Sequence, residues 1–329
     1  MPNVSLRRFI AALGCAALAL AVLPAAAQTD YPNKPIKVVV PYAPGGMTDT
    51  SSRAILDRLS AQLGQTIVIE NRTGAASTVA SNYMVNQPAD GYTLYAAPVS
   101  LVVNPVLQNA VQYDPRRDFA PISMLIYSPF VLQVNPSLGV KNMKDLLALV
   151  RANPDKYAIG TSGLGSINHL AAEYFIRSFD LKLAVVHYRG GAPAAQDLMG
   201  GTIQMMFSAT NEAAPLIQSG RTVGIAVTTT KRLPMLPELP TVEEAAGIKD
   251  FEAVFWMALV APAGTPQPVI AKLQASMQAL TRDNELRDSL AAKGVELKIS
   301  TPEVVRQHMD RDEAKWGKLI RDLGLKETS

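Results

Sequence analysis

The residues best placed to do chemistry are glycines, small hydroxyl residues and backbone amides at four junctions where an apolar run turns into a helix-like segment. These are VVVPYAPGGMTDTSSRAILDRL (Val38–Leu59), IVIENRTGAASTVASNYMV (Ile67–Val85), YAIGTSGLGSINHLAAEYFI (Tyr157–Ile176) and AVVHYRGGAPAAQDLM (Ala184–Met199). A helix start presents unpaired N–H groups and a partial positive charge, so each junction is a potential anion seat. Glycine lets a ligand approach the backbone closely. The chemistry implied is non-covalent capture of a small anion. With two junctions before residue 90 and two after residue 155, two lobes facing one ligand are expected.

In the first junction, Gly45, Gly46, Met47 and Thr48 offer backbone N–H groups, and Thr48 adds a hydroxyl. Gly46 is where added bulk should block close approach and disfavour any positive φ. Asp49 either caps the helix start and orders the loop or meets a ligand ammonium. Tyr42 beside Ala43 forms an apolar wall with a polar tip, or belongs to the core. The second junction offers Gly74, Ala75, Ala76 and Ser77, while Arg72 beside Glu70 and Asn71 reads as a loop lock. Ser100 joins the candidate ligand contacts from the run after Thr93–Ala97.

The third junction supplies Ser162, Gly163, Ser166 and Asn168, with His169 on the helix that follows. The fourth supplies Gly190, Gly191 and Ala192 as backbone donors and Arg189 as the best candidate for a fixed positive charge. Pro193 at that helix start gives up only an N–H that would be orphaned anyway. Ser208 closes the set, and Trp256 is equally readable as a cleft wall or a buried anchor.

Several catalytic classes are disfavoured. The first junction lacks the Gly-Lys-Ser/Thr ending of a nucleotide P-loop. Gly163-x-Gly165 lacks the third glycine and the acidic partner of a dinucleotide site, so no cofactor is expected. His169 and Glu173 share a helix face but lack a second His or a carboxylate cluster, so no metal is expected. His187 reads as core and His308 as surface. Ser162 or Ser166 with His169 and Asp197 suggests a serine hydrolase only remotely, because no Gly-x-Ser-x-Gly elbow is present.

Strand-like runs at Ile36–Val40, Thr66–Glu70, Thr93–Ala97, Phe130–Val134, Ala158–Gly160, Ala184–Tyr188, Met205–Ser208, Gly224–Thr229 and Trp256–Ala261 position these residues. They alternate with helical patterns, which predicts βαβ units and mainly parallel sheets. Further helices are expected at Met143–Arg151, Glu212–Gln218, Val242–Ala246, Pro268–Thr281, Asn284–Lys293 and Pro302–Leu323. The prolines of Leu233–Pro240 exclude regular structure there. Crossings near Pro129–Asn135 and Val254–Ala261 predict a hinge, dividing the chain into 28–130 plus 255–329 as one lobe and 131–254 as the other.

Residues 1–27 read as a cleaved secretory signal: Arg7-Arg8, an apolar run from Phe9 to Leu23, then Ala25-Ala26-Ala27. Leu13-Gly14-Cys15 is only a faint lipoprotein box, because most of the apolar run follows the cysteine. Cleavage removes Arg7, Arg8 and the single cysteine, so the formal charge falls from +3 to about +1. That is no footprint for nucleic acid, and a cysteine-free exported chain has no thiol chemistry.

The ordered set KPIKVVVPYAPGGMTD, VIENRTGAAS, PADGYTL, YDPRRDFAPIS, HLAAE, YRGGAPAAQDLMGG, VTTTKRLPMLPELPTVEEA, APAGTP and AKWGKLI resembles the solute receptors of the tripartite tricarboxylate transporter system, also called the Bug family. The resemblance implies a type II periplasmic-binding-protein fold: two α/β lobes, two crossing strands and a ligand cleft between them. It implies a monomeric periplasmic receptor that takes a small organic carboxylate, held by loop backbone and water, to membrane subunits of such a transporter. A sensor or buffering role without a dedicated transporter is the alternative. Two departures stand out. The family's Gly-Ala-Gly-Gly is Gly74-Ala75-Ala76-Ser77 here, and its Met-Phe-Asp-Asn is Met206-Phe207-Ser208-Ala209. The lost acid at 208 argues for a simple carboxylic acid over an amino-bearing one.

Overall fold

The computed structural model describes residues 31–188, 190–249 and 251–325. Strand β1 (Ile36–Val40) is buried almost throughout and pairs in parallel with β2 (Ile67–Asn71) and β3 (Thr93–Pro98). A strand covered on both faces needs an unbroken apolar run, which IKVVV supplies. Helix α1 (Met47–Leu63) links β1 to β2, and a short turn plus α2 (Thr78–Met84) link β2 to β3. After β3 comes α3 (Ser100–Leu107), a helix the sequence reading lacked.

The long strand β4 (Phe119–Val134) begins eleven residues before the expected Phe130. Its first part pairs antiparallel with β9 (Val254–Pro262), from Phe119 opposite Pro262 to Pro129 opposite Val254. Its last part, Phe130–Val134, pairs antiparallel with β7 (Met205–Ala209) and β8 (Val223–Val227). β7 lies parallel to β5 (Ala158–Thr161), which lies parallel to β6 (Ala184–His187). One strand thus runs unbroken through two groups of strands. The order is β2-β1-β3-β9-β4-β7-β5-β6, with β8 and the short β10 (Glu296–Leu297) also on β4. The expected mainly parallel pairing holds only away from β4 and β9, since both of these run antiparallel to their neighbours.

The remaining helices are α4 (Met143–Ala152), α5 (Ile167–Ser178), α6 (Gly191–Gly200), α7 (Thr210–Gln218), α8 (Val242–Ala246), α9 (Gln267–Ala279), α10 (Asn284–Ala291) and α11 (Pro302–Leu323). α11 has the expected termini: the Thr301 side chain accepts from Val304 N–H, Pro302 opens the helix, and Gly324 at φ 63° closes it. It packs on β4 and α3. Trp256 is the buried anchor rather than a cleft wall. Its Nε1–H donates to Asp312 Oδ2 on α11 at 2.6 Å, and burial pushes the Asp312 carboxyl up. The proline-rich run packs as irregular chain, with Leu236 and Leu239 buried beside Val131 and Val227. Two histidines depart from expectation: His187 is exposed on β6, whereas His308 is half-buried against Tyr127 and Arg311.

Candidate functional site

Loops at the carboxyl ends of β1, β2, β3, β5, β6 and β7 enclose a cavity of about 890 Å³, a size suited to a small organic molecule. From the first junction come Tyr42, Ala43, Gly46, Met47 and Thr48; from the second, Ala76; from the run after β3, Val99 and Ser100. The third junction lines it continuously from Ser162 to Asn168, and the fourth gives Gly190 and Gly191. Phe130, Ala209, Glu212 and Phe255 complete the wall.

The N-terminal ends of α1, α3, α5, α6 and α7 therefore reach one cavity. Only α5 carries a side-chain cap: the residues preceding α1, α3, α6 and α7 are Gly46, Val99, Gly190 and Ala209, and none caps its helix. Uncapped first turns leave N–H donors and a positive potential for a ligand. Among the described residues lining the cavity there is no Lys, Arg or His. Among the described residues no group of His, Cys, Asp and Glu is arranged to hold a metal ion.

Asp49 orders the first loop. Its Oδ2 accepts from Gly45 N–H and Arg53 Nε, both at 2.9 Å, and its Oδ1 accepts from Arg53 Nη2 at 2.9 Å and Asn71 Nδ2 at 2.8 Å. Asn71 Nδ2 also donates to the Tyr42 carbonyl, joining the first two junctions. The Arg53 guanidinium is the main reason the buried carboxyl is held down at about 2. Gly45, at φ 85°, does not line the cavity; Gly46, at φ −72°, does. The positive φ of this loop is thus at Gly45, not at Gly46.

The second loop turns through left-handed backbone at Gly74, Ala75, Ala76 and Ser77, with φ of 131°, 44°, 47° and 81°. Asn104 Nδ2 on α3 donates to the Ala76 carbonyl, and Ser77 and Ser100 hydroxyls share a 2.6 Å bond. Of these four only Ala76 lines the cavity; Gly74 and Ala75 are exposed off its wall and Ser77 is buried. Arg72 locks the loop as expected, bonding Glu70 and lying over the Tyr83 ring.

In the third loop, Asn168 Oδ1 accepts from the hydroxyls of Ser162 at 2.8 Å and Ser166 at 2.6 Å, and its Nδ2 donates to Phe207 O. Ser166 caps α5, accepting from His169 N–H. His169 is fully buried beneath this loop: Nδ1 accepts from Gly165 N–H, and Nε2 lies 3.5 Å from Glu173. The Ser166 hydroxyl thus bonds Gly163 O and Asn168 rather than the His169 ring, and Asp197 accepts from Tyr188. Ser166→Ala is expected to cost about 1 kcal/mol by removing the α5 cap; urea denaturation showing unchanged stability would refute that role.

Ala192 and Ser208 do not line the cavity, and Ser208 is buried, accepting from Gln133 Nε2 at 2.6 Å. Arg189 lies outside the described residues. Beyond the residues expected from the sequence, the wall includes Val99, Phe130, Leu164, Gly165, Ile167, Ala209, Glu212 and Phe255. Of these Glu212 had a visible signal, an acidic residue in the first turn of a predicted helix.

From residue 52 to 325 the chain matches the family model described as tripartite tricarboxylate transporter family receptor. Among solved structures it is similar to R. palustris Rpa4515 with adipate, at 33% identity and TM-score 0.78 over 90% of this chain and 99% of that one. It is similar to the periplasmic binding protein BugD at 32% identity and TM-score 0.75, over 90% and 100% of the chains. MatC (Rpa3494) from Rhodopseudomonas palustris with bound malate follows at 28% identity and TM-score 0.74, over 88% and 100%. The expected two-lobed periplasmic-binding-protein fold is the fold of these neighbours.

Proposed function

Because this chain belongs to the tripartite tricarboxylate transporter family of receptors, we propose that it is a monomeric periplasmic receptor for a small organic carboxylate, which it delivers to the membrane subunits of such a transporter. The observation that carries the reading is the convergence of four uncapped helix N-termini on a cavity without a described basic side chain. Backbone N–H groups and bridging waters then replace an arginine clamp, as nests of amides do for anions generally. The adipate and malate carried by two structural neighbours support the ligand class.

In this reading the lobes are 28–130 plus 255–329 and 131–254, consistent with the change of β4 partners after Pro129. Residues 1–27 direct export and are cleaved after Ala27. The protein binds without turnover, since Ser162, Ser166, His169 and Asp197 hold other partners. A thermal-shift screen over di- and monocarboxylic acids tests it. A ligand at 100 times its dissociation constant should stabilise the protein by about 2.7 kcal/mol. Absence of a shift with every carboxylate, alongside a shift with uncharged or cationic solutes, would overturn the reading.

A further inference from the structure

The cavity holds one group that a plain carboxylate receptor does not need. Glu212, third residue of α7, stands in the wall, and among the described residues no hydrogen bond or ion pair engages its carboxylate. The side chain opens to solvent through the cavity while the surrounding protein pushes its carboxyl up from the ordinary value. It sits against the start of α6: a Cβ added at Gly191 would fall 2.6 Å from Oε2 and 3.0 Å from Oε1. Glycine at 191 is what leaves room for the carboxylate there. The N–H groups of that turn are nevertheless not spent on it.

Resting on the carboxylate reading above, we propose that Glu212 is the specificity-determining residue for a protonated nitrogen on the ligand, so that the ligand is a small carboxylate that also bears an amine. A carboxylate facing the cavity attracts an incoming cation, and a second anion there would add repulsion. The uncapped helix starts favour the ligand's carboxylate, and Glu212 supplies the opposite pole. The aromatic rings of Tyr42, Phe130 and Phe255 in the same wall suit the ligand's frame and tolerate a cation. Ser208, whose lost acid argued against an amine, does not reach the cavity, so the acid is supplied from α7 instead of β7.

A first-turn Glu also favours its own helix dipole, and that purely structural role predicts a stability loss with no change in ligand choice. Calorimetry on the mature protein separates the two, using matched pairs: succinate and aspartate, glutarate and glutamate, 3-phenylpropionate and phenylalanine. In at least one pair the amino acid should bind about tenfold or more tightly than its partner, and Glu212→Gln should collapse that ratio. Gly191→Ala, which pushes the carboxylate aside without altering its charge, should reduce the ratio in the same direction. It also keeps the test open if the first variant does not fold. A ratio that survives Glu212→Gln, or plain acids that bind as well as their amino partners in every pair, would overturn the proposal alone. Failure of every acid to bind the wild type would overturn the carboxylate reading beneath it.

Discussion

Gly46→Val is expected to weaken ligand binding by at least about tenfold, or 1.4 kcal/mol, in a protein that still folds. Gly46 precedes α1 with φ −72° and ψ 167°, a conformation valine adopts readily. A Cβ there would meet only the Ala43 carbonyl oxygen, at 3.7 Å, so the core is not disturbed. The valine methyl groups would instead occupy the wall in front of Met47 and Thr48, where the uncapped turn offers its N–H groups. Gly45→Val makes the opposite control, because φ 85° strains any branched residue while the position stays off the wall. Calorimetry with a carboxylate taken from the thermal screen gives the comparison. Near-native affinity in folded Gly46→Val would exclude a backbone seat at the start of α1.

Asp49→Asn should destabilise the protein by about 1.5–3 kcal/mol at pH 7, because four donors converge on a charged and buried acceptor. The lower part of that range is favoured, since Arg53 is 45% exposed and water screens its share. The pH dependence has a definite sign. The folded carboxyl is held at about 2, chiefly by Arg53, against an ordinary value of 3.8. A depressed folded pKa gives stability that is complete above the unfolded value and is lost as pH falls through the folded one. The gap between wild type and variant should therefore be full at neutral pH, shrink below pH 4 and close near pH 2. Urea denaturation across that range measures it. A gap that stayed constant down to pH 2 would show that the charge of Asp49 is not what holds the loop.

Much of the candidate site was legible in the chain because its signals are local. Gly46 before Met47-Thr48, Ser162 to Ser166 before α5, and Gly190-Gly191 before Pro193 each mark a strand end turning into a helix within a few residues. α11 was readable to both ends for the same reason, with Thr301, Pro302 and the apolar stripe all within its own stretch. The export-signal pattern is equally local, although residues 1–27 lie outside the described part of the structure.

Tertiary structure decided the rest. The first eleven residues of β4 carry no strict alternation, because they are buried on both faces, and only pairing with β9, more than a hundred residues away, makes them a strand. Asp49 had two readings until Asn71, eighteen residues past Arg53, arrived beside it through the β1–β2 pairing. Trp256 was undecided until α11 brought Asp312 to its indole. α3 and α7 enter the wall without a glycine signature, since bare N-termini need only the absence of a cap, and an absence has no motif. Glu212 acquires meaning only when Gly191, on another helix, leaves space for it. Periodicity and capping are set by near neighbours and survive in the sequence alone. Which loops share one cavity is set by strand order, and strand order is a long-range choice.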